Sequence, residues 1–247
     1  MDTSTHLDVL EGEGKALAAA AASAGLDTPV PTCAGWLVRD LVQHVGQIHR
    51  WAMSYVITGR TTPPNENDSP AQPPPDSELL GWFGDGHAAL VAALRAMGDD
   101  LDCWAFLPAP SPRAFWARRQ AHETAIHRAD AERAAGEHPG YDPAFAADGV
   151  DELLFGFFAG SRGRLVADPA VRLGLRSIDS PDAWTMTIGP DGREAERGTA
   201  DADCTVSGPA SELYLLLWNR TDASRCQIDG DAAVLDLWRE KAQISWR

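Results

Sequence analysis

The sequence predicts an α+β protein in which an up-down helical bundle precedes a small α+β domain. Two observations carry this prediction. Up to about residue 164, apolar residues recur at three-and-four spacing over long segments, which is typical of amphipathic helices. Beyond that point, short alternating segments are separated by Gly and Pro turns, as strands are. We therefore predict a bundle over residues 1–164 and an α+β domain over residues 165–247.

Five helical segments are predicted in the bundle. They run over residues 6–25, 36–58, 78–97, 113–135 and 143–160. Gly25 and Gly136 are placed to end the first and the fourth helix, and Thr32 is expected to cap the second. A Pro-rich polar segment over residues 61–77 separates the second helix from the third and predicts a loop.

The second domain is predicted to contain a small sheet and two helices. Strands are expected over residues 171–178 and 183–188, and a Gly-Pro-Asp-Gly turn over residues 189–192 indicates a hairpin. Shorter strands are expected over residues 204–206 and 226–228. The helices are expected over residues 209–220, with Pro209 in the first turn, and over residues 231–241.

Charge and cysteine content restrict the partners and the location. The 247 residues carry a net charge of −15, and a surface of this sign repels nucleic-acid phosphates and anionic membranes. No apolar run approaches the roughly 18 residues of a membrane-spanning helix. The four cysteines are scattered, and the first residues lack the basic start and the apolar run that are typical of a signal peptide, so we expect none. We therefore expect a cytoplasmic protein with reduced thiols, either a monomer or a small homo-oligomer.

Two helices carry residues of the kind that bind metals. His44 interrupts the apolar stripe of the second helix, and Glu123 and His127 are four residues apart on one face of the fourth. That face carries a longer polar and aromatic series: Trp116, Gln120, Glu123, His127 and Asp130. Two imidazoles and one carboxylate suit a catalytic divalent metal with a coordination position left open. The alternative is a solvated Glu–His pair together with a core histidine that is hydrogen-bonded.

Asp130 follows His127 by three residues, which is the spacing of a carboxylate that orients a ligand imidazole. The alternative is a salt bridge from Asp130 to Arg128 or Arg133.

The other histidines are not expected to bind the same ion. His49 lies about 140° around the helix from His44, and His122 faces away from His127 for the same reason. Both are interpreted either as surface groups or as groups behind the ligands, which contact the ligand residues without binding the ion. Three histidines have no partner pattern and are expected to be solvated: His6, His87 and His138.

These segments resemble a known family. The pattern W-x-x-x-D-L-x-x-H over residues 36–44, followed by H-E-x-x-x-H-R-x-D over residues 122–130, resembles the mycothiol-dependent maleylpyruvate isomerase family. The stretches over residues 200–220 and 228–238 resemble its C-terminal domain, so the likeness covers nearly the whole chain. It implies a DinB-like bundle and a domain similar to sterol carrier proteins. It also implies zinc bound by His44, Glu123 and His127.

The resemblance further implies an activity. A low-molecular-weight thiol, mycothiol or a similar compound, serves as co-substrate and reacts with a small electrophile, in an isomerisation or an S-transfer. An anionic substrate would need a cationic clamp, and Arg220 is the residue that matches the family's arginine. The alternative for Arg220 is that it complements the negative end of the helix before it.

Two other functions are kept open. A zinc-dependent hydrolase or amidase acting on a thiol conjugate would use the same metal ligands and would turn over without added thiol. A non-enzymatic protein that binds a small ligand in its C-terminal domain would be indifferent to the loss of metal.

Overall fold

The computed structural model describes residues 1–65, 68, 70–161, 163–198 and 200–244. Residues 66, 67 and 69 of the predicted polar loop lie outside this part of the chain. The chain divides into two units, Met1–Pro139 and Gly140–Arg247. Among the described helices, none is long and apolar enough to cross a membrane.

The first unit is a bundle of long helices, as predicted. They are α1 (Thr3–Ala24), α2 (Val38–Thr58), α3 (Asp76–Ala96) and α4 (Pro112–Ala134). α4 packs along α1 and also against α2, while α2 packs against α3. Apolar residues from all four helices form one core, including Leu17, Leu41, Val45, Phe83 and Ala131. The bundle therefore places α2 and α4, the two helices with metal-ligand residues, side by side.

Side chains cap the starts of three of the helices described in the first unit. Asp2 accepts a hydrogen bond from the backbone N–H of Thr5 at α1, and Ser111 accepts one from Ala114 at α4. At α2, the carboxylate of Asp40 accepts one from the backbone N–H of Leu37. The prediction that Thr32 caps α2 is wrong, because α2 begins six residues later, at Val38, and Thr32 donates its hydroxyl hydrogen bond elsewhere.

The second unit opens with α5 (Pro143–Asp151), which continues into a π-helix over Glu152–Phe158. Within this unit α5 packs against a later helix, α6 (Ala210–Leu217). The segment of α5 was predicted to belong to the bundle, whereas its contacts group it with the second unit. The domain boundary at residue 164 stays a prediction.

A five-stranded sheet forms the rest of the second unit. Its strands are β1 (Val171–Ser177), β2 (Ala183–Ile188), β3 (Arg193–Arg197), β4 (Cys204–Gly208) and β5 (Gln227–Gly230). They lie in the order β3-β2-β1-β4-β5, with only the β1–β4 pair parallel. The predicted turn joins β2 to β3, and α7 (Ala232–Lys241) follows β5. The predicted α+β class is therefore confirmed.

Candidate metal centre

Three potential ligand atoms converge where α2 passes α4. Oε1 of Glu123 lies 3.6 Å from Nε2 of His44 and 3.3 Å from Nε2 of His127. Ligand atoms of the three residues all lie within 4.8 Å of one another. The spacing of four residues on α4 places Glu123 and His127 on one face, and the α2–α4 contact brings His44 to the same place. The structure thus groups all three residues that the sequence singled out.

The site is buried on the α4 side and reachable on the α2 side. Glu123 and His127 are buried, whereas 28% of the His44 side chain is exposed. Two imidazole nitrogens and a carboxylate oxygen are a common protein donor set for catalytic zinc. A buried carboxylate also needs nearby positive charge, which a cation supplies. On both counts the residues fit a divalent metal that stays accessible to small molecules.

Arg119 holds the second oxygen of the Glu123 carboxylate. Its Nη2 donates to Oε2 of Glu123 at 3.0 Å, and both side chains are buried. Oε1 is left facing the histidines. Burial raises the pKa of Glu123, but hydrogen bonds and charge from His127, His44 and Arg119 outweigh it and hold that pKa well below 4.5. Arg119 is not among the residues predicted for the site, although its spacing of four residues from Glu123 was the available signal.

Asp130 holds the far side of the His127 ring. Its Oδ2 lies 2.9 Å from Nδ1 of His127, and its Oδ1 accepts the Thr32 hydroxyl at 2.5 Å. This geometry matches the orienting interpretation, while Arg128 pairs with two other residues, Glu13 and Glu132. Burial lowers the pKa of His127, but Asp130 and Glu123 together raise it to about 9. A metal that binds Nε2 must therefore displace a proton at neutral pH.

Trp36 covers the two imidazoles. Its ring centroid lies 5.1 Å from that of His44 and 6.5 Å from that of His127, and it is nearly parallel to the His127 ring. Trp36 belongs to the connection that precedes α2 and is half-buried. This connection, with Trp36 above the ligands and Thr32 on Asp130, forms one wall of the site.

For His49 and His122 the surface interpretation is wrong, and the interpretation as groups behind the ligands stays a prediction. His49 and His122 are fully buried, so neither is a surface group. Nε2 of His49 lies 2.9 Å from the hydroxyl of Thr124, which itself donates to the backbone carbonyl of Gln120. His49 must therefore be the donor, with its proton on Nε2.

Two further predictions of solvated histidines are wrong. His6 and His87 are buried, because α1 and α3 pack inside the bundle, and His87 donates to the backbone carbonyl of Leu10. His138 is exposed, as predicted.

Arg220 lies in the second unit, just after α6. One of its guanidinium nitrogens donates to the backbone carbonyl of Trp218 at 2.9 Å, and the side chain is half-buried. The expected catalytic role of Arg220 stays a prediction. The four cysteines are free thiols.

Comparisons with known proteins agree over both units. The profile of the mycothiol maleylpyruvate isomerase N-terminal domain matches residues 7–132, and that of the MDMPI C-terminal domain matches residues 144–237. A crystal structure of the mycothiol-dependent maleylpyruvate isomerase aligns with a TM-score of 0.61 at 14% identity, over 93% of each chain. A histidine-to-alanine mutant of the mycothiol-dependent maleylpyruvate isomerase aligns with a TM-score of 0.62 at 12% identity, over the same shares. No curated protein matches the sequence.

Proposed function

Because the chain belongs to the mycothiol maleylpyruvate isomerase family, we propose that it is a metal-dependent enzyme that joins a low-molecular-weight thiol to a small electrophile. The metal is a divalent ion, most suitably zinc, and the thiol is mycothiol or a close analogue. The reaction is an isomerisation or a thiol S-transfer. The observation that carries this proposal is the convergence of His44, Glu123 and His127.

The residues of the proposed metal centre have different roles. His44, Glu123 and His127 supply the ligand atoms, and when bound, zinc would lower the pKa of a coordinated thiol so that it reacts as a thiolate at neutral pH. Asp130 keeps one proton of His127 on Nδ1, so that a metal would replace the other proton, on Nε2. Arg119 restrains Glu123 so that Oε1 is the oxygen presented.

The charges around the site favour an anionic co-substrate. Glu123 and Asp130 carry two negative charges, and Arg119 carries one positive charge. With a divalent cation added, the site retains one positive charge, which a thiolate neutralises. The net positive charge would disfavour a ligand that carries a cationic group close to its sulfur.

In the proposed isomerisation, bonds form and break only between the thiol and the substrate. Addition of a thiolate sulfur to an activated double bond forms a C–S bond and leaves a C–C single bond that rotates. Breaking the C–S bond restores the double bond and returns the thiol unchanged. For an anionic substrate we propose Arg220 as the cationic clamp, on the strength of the family resemblance and its position after α6.

The test is a turnover assay with zinc-loaded protein, mycothiol and a panel of electrophiles that includes maleylpyruvate. We expect consumption of the electrophile only when thiol and metal are both present, and we expect loss of turnover in His44→Ala. Turnover that persists without added thiol would instead indicate a hydrolase. A chain that binds neither zinc nor thiol would contradict the proposal.

A further inference from the structure

One polar atom near the candidate metal centre lacks a partner. Gln120 on α4 is 1% exposed, and its side-chain oxygen Oε1 makes no hydrogen bond to any residue that the structure describes. The backbone carbonyl of Gln120 accepts from the Thr124 hydroxyl, so the unsatisfied atom is the side-chain Oε1. Buried polar groups are nearly always hydrogen-bonded in folded proteins, and an exception calls for an explanation.

Helix spacing places Gln120 on the face of α4 that contacts α2. The residues four before it and four after it both contact α2: Trp116 packs on Trp51 with ring centroids 5.2 Å apart, and Thr124 bonds His49. Gln120 lies between them and precedes Glu123 by three residues, a rise of about 4.5 Å along the helix. Gln120 is therefore within one helical turn of a proposed metal ligand.

The chemistry of this atom selects its partner. An amide oxygen only accepts hydrogen bonds, so the group that satisfies it must carry an N–H or an O–H. No described residue supplies such a donor, and the neighbouring place that could hold a ligand is the proposed metal position, where 28% of the His44 side chain is exposed. A donor close to the sulfur of a thiol would lie within one helical turn of Glu123.

We infer that Gln120 is a binding residue for the thiol co-substrate, whose amide N–H donates a hydrogen bond to Oε1 of Gln120. The inference rests on the proposed function, because the thiol must sit at the metal for its amide to reach Gln120. It adds a determinant of specificity, since thiols with an amide N–H beside the sulfur-bearing carbon chain would be preferred over thiols without one.

The test compares two thiols on two proteins. N-acetylcysteine carries the amide N–H, whereas 3-mercaptopropionate lacks it and keeps the thiol and carboxylate. Calorimetric titration of zinc-loaded wild type should show fivefold to tenfold tighter binding of N-acetylcysteine, about the effect of one hydrogen bond. Gln120→Met, which keeps the side-chain length, should remove that preference and leave the binding of 3-mercaptopropionate and the zinc content unchanged.

Gln47→Met serves as the matched control, because the Gln47 amide already donates to the backbone carbonyl of Ala71. It should keep the preference for N-acetylcysteine. In metal-free protein, Gln120→Met should melt at the same temperature as wild type or higher, because it removes an unsatisfied acceptor.

The outcomes separate this inference from the function on which it rests. If wild type binds neither thiol, the proposed function and this inference both fail. If wild type binds both thiols but Gln120→Met weakens them equally, or leaves the preference intact, the inference alone is overturned. A lower melting temperature of Gln120→Met would also overturn it, because the amide would then have a structural role.

Discussion

The carboxylate of Asp130 is fully buried, and its Oδ2 lies 2.9 Å from Nδ1 of His127. The same carboxylate accepts the hydroxyl of Thr32, which lies 98 residues away in the connection before α2. A histidine whose second nitrogen is tied to a carboxylate has a fixed ring and a fixed tautomer, which is the usual support of a metal-binding imidazole. Asp130 is therefore the residue that would orient the His127 ring at the proposed metal centre.

Asp130→Asn should weaken zinc binding without removing a ligand. Loss of the carboxylate removes the acceptor charge that holds the Nδ1 proton of His127, and such changes reduce metal affinity by roughly 10-fold to 100-fold. The measurement is competition for zinc with a chromophoric chelator. Asp8→Asn is the control, because Asp8 pairs with Arg95 at the surface and should bind zinc as wild type does. Equal zinc affinity in all three proteins would contradict this role.

Arg119→Met should destabilise the metal-free protein more than the zinc-loaded one. The change removes one of the ion-pair partners of the buried Glu123 carboxylate, which costs about 3 kcal/mol in the free energy of unfolding. A bound cation compensates the same charge, so zinc should recover much of the loss. Urea unfolding with and without zinc measures the difference. An equal loss in both states would show that zinc does not contact Glu123.

Acid should destabilise the metal-free bundle through His49. Burial, helped by the charge of His87, lowers the pKa of His49 to about 3, against about 6.5 in the unfolded chain. The folded state therefore binds fewer protons, and stability is lost as the pH falls below about 6.5, by about 2 kcal/mol at pH 5.

Two other groups of the site, His127 and Glu123, have shifted pKa values, but these affect stability mainly at other pH values. The pKa of His127 is raised to about 9, so its contribution is complete below 6.5 and is lost only as the pH rises through 9. The pKa of Glu123 is lowered, so its contribution is lost only at pH values well below 4.5. Urea unfolding at pH 7 and pH 5 should therefore show a smaller pH effect in His49→Leu than in wild type. The exposed His138→Leu is the control, and an unchanged pH effect in His49→Leu would exclude His49 as the cause.

Arg220→Met should impair anionic substrates selectively. If its guanidinium binds a substrate carboxylate, KM for an anionic electrophile should rise about tenfold, whereas KM for a neutral electrophile and the zinc content should stay the same. Arg220→Lys keeps the charge but loses the paired donors, so it should show a smaller defect. Equal effects on both electrophiles would favour the alternative that Arg220 only stabilises the end of α6.

The helices and the three proposed ligands could be predicted because local spacing determines them. The periodicity of apolar residues fixes the bundle helices to within a few residues, and the spacing of four places Glu123 and His127 on one face. His44 stood out because it interrupts an apolar stripe. Each of these signals lies within one helix, where sequence distance and spatial distance correspond.

The burial of the other polar residues could not be predicted in this way. α4 is polar in sequence, yet it is buried on nearly every side by its neighbours, so amphipathic reasoning failed for the histidines around it. The bond between Thr32 and Asp130 joins residues that are remote in sequence. The spacing of four residues between Arg119 and Glu123 indicated that the two side chains could meet, but no local pattern indicated that the pair is buried.

Metal content tests directly whether His44, Glu123 and His127 bind zinc. Elemental analysis would be made on protein purified without a histidine tag, beside His127→Ala and the exposed-site control His138→Ala. We predict about one zinc per chain in wild type and in the control, and loss of the metal in His127→Ala. Wild-type protein that takes up no metal after zinc is offered, or a His127→Ala variant that keeps the metal, would rule out the proposed metal centre.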